Sequence, residues 1–147
     1  MGRYRSLLAS ILALVMVFLT SCGSPKAVKP PVYDPVQLEK IDQYQSQLLA
    51  FRDRMTELES LIQQRDWNNV SSLIHGPLGQ LRQDMSYITR SLLPQDKKSA
   101  LNLAREIAGR LEAIDVAGSN NNLEQAISNY RQAIDGLDTF TGLLSKA

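Results

Sequence analysis

This chain of 147 residues holds one histidine, His75, and one cysteine, Cys22, and those two residues bound the chemistry open to it. A disulfide within the chain needs a second thiol, and a thiolate metal or redox cluster needs neighbours that are absent. A di-iron bundle carries Glu-x-x-His on two helices, but Ser72 stands three residues before the single imidazole. A zinc site built on His75 would have to take its remaining ligands from carboxylates. No Cys-x-x-Cys-His marks attached haem, no Gly-x-Ser-x-Gly marks a nucleophile elbow, and no glycine-rich phosphate motif occurs. No residue is assigned a catalytic role, no cofactor is required, and the expected function is not that of an enzyme. His75 keeps two readings: a ligand for an adventitious surface zinc, or an exposed or helix-capping imidazole.

Cys22 has a more definite setting. It follows Arg3, Arg5 and the uncharged run Leu7 to Leu19, within "LTSC". A spanning helix needs about 20 apolar residues, and this run is shorter. A basic head, an apolar middle and small residues before a cleavage point describe an export signal. The "LTSC" string resembles a bacterial lipobox, in which Cys22 would carry a covalent diacylglycerol and become the mature N-terminus. Residues 1–21 are therefore expected to be a lipoprotein signal peptide. Residues 22–34 form a lipidated, proline-rich tether, "GSPKAVKPPVYDP" after the cysteine. About twelve such residues reach on the order of 40 Å when stretched, enough to hold a domain near a membrane.

The signal removes Arg3 and Arg5 from the 16 lysines and arginines, leaving 14 against 15 aspartates and glutamates. That balance gives no basic face for nucleic acid, where phosphate neutralisation supplies most of the affinity. Charges are interspersed rather than blocked, as on solvated helix faces.

The elements that must position these residues are helical. Asp34-Pro35-Val36-Gln37 predicts an N-cap, a proline at the first position and a capping box. Ile41, Tyr44, Leu48, Phe51, Met55, Leu58 and Ile62 then recur at steps of three and four, predicting a helix from about 35 to 64. Asp66 caps a second helix whose stripe runs through Val70, Ile74, Leu78, Leu81, Met85, Ile88 and Leu92. A third, after Pro94, carries Ala100, Ala104, Ile107, Leu111 and Ile114 and ends near Gly118. After "GSNNN", with Asn121 and Glu124 as the capping pair, a fourth carries Leu123, Ile127, Tyr130, Ile134, Leu137 and Leu144. No stretch alternates like a strand, and the connections are short. The predicted fold is all-α, an up-down-up-down four-helix bundle over residues 35–147.

One stretch breaks this regularity. In "WNNVSSLIHGPLGQLRQDM", Trp67 to Met85, Pro77 removes a backbone donor and crowds the Leu73 carbonyl. Gly76 and Gly79 weaken the helix on either side. A proline inside a helix costs about 3 kcal/mol relative to alanine, so a kink is expected. The bend either lets the helix follow its neighbours or leaves backbone open for a partner.

Trp67, "LIHGPLGQLRQDM" and the C-terminal "YRQAIDGLDTF" together resemble the PsbQ family in its cyanobacterial branch, over essentially the whole mature chain. The lipobox agrees with that branch. The chloroplast branch has a longer N-terminal region, which this chain replaces by a short tether, so its contacts are not carried over. The resemblance implies a non-catalytic extrinsic subunit on the lumenal face of photosystem II, lipid-anchored to the thylakoid membrane. Such a subunit stabilises the oxygen-evolving complex, its calcium and chloride retention, and the dimeric complex. Implied partners are the photosystem II core subunits and the extrinsic subunits PsbO, PsbV and PsbU. Family members have also been seen with zinc, which bears on His75. The candidate docking residues are Trp67, His75, Gly76, Pro77, Gly79, Arg82 and Asp84. A periplasmic metal- or ligand-binding lipoprotein on the same bundle is the alternative, and a host without photosystem II would favour it.

Overall fold

A computed structural model describes residues 32–145; Cys22, the export signal and most of the expected tether lie outside them. Five helices follow in order: α1 Pro35–Gln63, α2 Trp67–His75, α3 Pro77–Ser91, α4 Pro94–Ser119 and α5 Leu123–Leu144. No strand occurs among the described residues. The predicted cap of α1 forms in full. Asp34 Oδ1 accepts from the Gln37 amide at 2.7 Å, and Gln37 Oε1 accepts from the Asp34 amide at 3.0 Å. Asp66 caps α2 by accepting from the Asn69 amide.

The expected kinked second helix is instead two helices. α2 ends at His75, Gly76 takes φ −93° and ψ −104°, and α3 restarts with Pro77 in its first turn. A proline there needs no amide partner and its ring meets no preceding helical turn, so the interior-proline penalty does not arise. The bend is absorbed at Gly76. A Cβ there would stand 2.8 Å from the Ser72 carbonyl oxygen, a separation side chains do not tolerate, so this position needs glycine.

The cap of α5 also shifts by one residue from the expected Asn121–Glu124 pair. Asn122 is the N-cap, accepting from the Gln125 amide at 3.0 Å. Asn121 sits at φ 51°, a left-handed conformation asparagine adopts more readily than most residues, and its side chain accepts from Trp67 Nε1 at 2.9 Å.

The helices pack as a ring: α1 against the α2–α3 column and α5, the column against α4, and α4 against α5. That is the up-down-up-down bundle, with the second column broken. The first three predicted stripes form its core, with Tyr44 and Phe51 at the edge. On α5 the buried face is centred on Ala126, Tyr130, Ala133, Leu137, Phe140 and Leu144, while Leu123, Ile127 and Ile134 lie at its margin. Small residues decide this. A Cβ on Gly136 would meet Ile107 at 2.9 Å, so α5 turns its alanines and glycine toward α4 and the backbones close up. Each large side chain buried this way contributes about 1.5–3 kcal/mol. The buried polar residues are satisfied: Thr89 Oγ1 donates to the Met85 carbonyl, and Asn129 donates to the Gln125 carbonyl and accepts from Arg110.

Candidate docking surface

The break between α2 and α3 places His75, Gly76, Pro77 and Gly79 on the surface, all exposed, with Leu78 turned into the core. The local chemistry that holds it is polar and crosses to α4. His75 Nε2 lies 3.1 Å from Asp115 Oδ2. Burial pushes the Asp115 carboxyl up, but hydrogen bonds from Ser71 and His75, together with the histidine's charge, outweigh it and leave the group below the ordinary carboxylate value. One turn further along, Arg82 pairs with Glu112. Between these two bridges, Ile74, Leu78, Met85, Ala108 and Leu111 floor a cleft of about 240 Å³.

The cleft continues as a groove between α3 and α4. Arg82 lines three adjoining hollows, the other two extending past Ser86 to Arg90 on α3 and past Ala108 and Gly109 to Leu101 on α4. The groove exists because its walls lack bulk. A Cβ on Gly79 would have ordinary contact with the Ile74 carbonyl oxygen at 3.6 Å, and one on Gly109 would meet nothing within 4 Å. Sequence reasoning picked out Gly79 from its neighbouring proline. Gly109, Arg90 and Arg105 were passed over, because nothing local marks a glycine or arginine on an exposed helix face.

The remaining candidates separate. Asp84 is half-buried and accepts from Gln80 Nε2 at 3.0 Å on its own helix. Trp67 is at the far end of the bundle, stacked so closely on Gly118 that a Cβ there would stand 2.9 Å from the indole, and bonded to Asn121. It joins the two turns at that end, a structural task distant from the break.

His75 and Asp115 supply two of the four donors a zinc site takes, and no group of three histidine, cysteine or carboxylate side chains gathers among the described residues. Nor is any helix among them long and apolar enough to cross a membrane. What the surface offers is a shallow, small-walled groove edged by arginines, suited to contact with another macromolecule.

The family model described as PsbQ, oxygen evolving enhancer protein 3, matches residues 3–145. CyanoQ of Synechocystis sp. is 41% identical over 148 residues, which cover 100% of this chain and 99% of CyanoQ.

Proposed function

The chain belongs to the PsbQ family of oxygen-evolving enhancer proteins, and on that premise we propose that it is an extrinsic, non-catalytic subunit on the lumenal side of photosystem II. It stabilises the oxygen-evolving complex with its calcium and chloride, and the dimeric assembly. A diacylglycerol on Cys22 tethers it to the thylakoid membrane beside the core subunits and PsbO, PsbV and PsbU. The observation that carries the reading is the family match over nearly the full chain. The bundle supports it: its surface presents a groove for contact.

The exposed break from His75 to Gly79 is the first contact to test, and Gly79→Gln is the informative variant. The site has room for a side chain, and a helix former gains up to about 1 kcal/mol over glycine, so the free domain should melt no lower. Tagged wild-type protein should co-purify photosystem II core subunits, and the variant should recover markedly less. Wild-type protein that brings down no photosystem II subunit overturns the function. Unchanged recovery with the variant removes the break from the contact.

A further inference from the structure

The groove is not uniformly charged. At the His75 end the nitrogen side chains are paired, His75 with Asp115 and Arg82 with Glu112. Toward the α3–α4 turn they are not. Arg105 lines the groove there, Arg90 lines an adjoining hollow on α3 that shares Arg82 and Ser86 with it, and Lys98 is on the same stripe of α4 as Leu101 and Arg105, seven residues or about 10 Å along the helix from Arg105. None of the three has a carboxylate partner among the described residues. Arg90 is also held in place, its guanidinium 5.3 Å from the centre of the exposed Tyr87 ring. Among the described residues the one carboxylate lining this part is Glu112, which Arg82 already engages.

We propose that this half of the groove binds an acidic protein segment, whose carboxylates pair with Lys98, Arg90 and Arg105 while its backbone passes over Gly109. The inference rests on the proposed function and adds the chemistry of the partner. Charge complementarity orients such a contact and excludes like-charged occupants. It thereby excludes this chain's own N-terminal segment: residues 22–31 contain Lys26 and Lys29 and no acid. The shape favours a protein segment over a lipid surface. Arg105 flanks a helix-lined furrow with an apolar floor, which a chain can enter and a flat membrane plane cannot. The apolar floor of Leu101, Ala104 and Ala108, with no side chain on Gly109, admits a partner's backbone and one or two of its apolar side chains, as in helix-in-groove recognition.

The test is rebinding of the full chain to photosystem II membranes from cells lacking it. Arg105→Glu and Gly109→Leu should each weaken binding by about tenfold or more, while Arg131→Glu, at the opposite end of the bundle, should not. Gly109→Leu fills open space, so its melting temperature should hold or rise, which separates lost docking from lost folding. Carbodiimide, which joins an amine to a touching carboxylate, should link Lys98 to an aspartate or glutamate of a photosystem II subunit. Wild-type binding matched by both groove variants overturns the proposal and leaves the proposed function intact; no binding by wild type overturns both. If Arg105→Glu instead abolishes binding to vesicles of anionic lipid, or dissolves a dimer of this chain in sedimentation, the occupant is a membrane or a second copy and the proposal is wrong.

Discussion

Tyr130 shows how a single contact across the ring can be read chemically. Its phenol donates to Glu59 Oε2 at 3.3 Å, joining α5 to α1. Burial first, then the charge and hydrogen bond of the Glu59 carboxylate, push the phenol up to about 12 from an ordinary 10.0, against the opposing pull of Arg52. A folded value raised above the unfolded one gives stability that is complete below pH 10 and lost as the pH rises through about 12. Alkaline absorbance titration should show Tyr130 and Tyr33, whose phenol burial and the Asp96 hydrogen bond also raise, ionising late, and Glu59→Gln should bring Tyr130 alone back toward 10. A Tyr130 phenol unmoved by that change would place the cause in burial alone. Residue identity announced none of this, since Glu59 and Tyr130 are 71 positions apart.

Among the elements, the α3–α4 turn depends most on a distant segment. α4 starts at Leu93-Pro94 with no side-chain cap of its own. Two residues from the start of the domain complete it. Tyr33 Oη accepts from the Leu93 amide at 3.3 Å and donates to Asp96 Oδ2 at 2.8 Å, and Gln37 Nε2 donates to the Ser91 carbonyl at 3.2 Å. The sequence reading assigns Tyr33 to the tether, yet its ring packs against the core. Tyr33→Phe keeps the ring and removes both bonds, so it should cost about 1 kcal/mol or more, measurable as a lower midpoint in urea. An unchanged midpoint would mean that water replaces the phenol without loss. The same scale explains the second column. Pro77 is legible as an interruption, but whether a proline kinks a helix or starts a new one depends on the residue before it. Here the Gly76 conformation, which a Cβ would forbid, decides for a break.

For the whole molecule, the proposed docking of the bundle and the proposed lipid anchor can be tested separately. A diacylglycerol supplies two chains, and two are what stable membrane attachment takes. Cys22→Ala should therefore abolish lipidation and the cleavage before residue 22, leaving unprocessed precursor or a differently cleaved form, while the bundle keeps its melting temperature. Mass spectrometry of the wild-type N-terminus is the direct check; an unmodified Cys22, or cleavage elsewhere, refutes the anchor.

The sequence by itself determined four helical columns, the caps at Asp34 and Asp66, three of the four buried stripes and the family. Each is a local signal: a helix repeats every 3.6 residues, a cap spans four, and a motif is contiguous. Tertiary structure alone decided which way α5 faces, because Gly136 and Ala133 matter only once Ile107 is opposite them. It also decided that Trp67 serves the far end of the bundle, on Gly118 and Asn121, rather than the surface at the break. The groove belongs to the same class. Gly79, Gly109 and Arg105 are ordinary on their separate helices, and come to line adjoining hollows because α3 and α4 meet with small residues along both walls and leave the space between them unfilled.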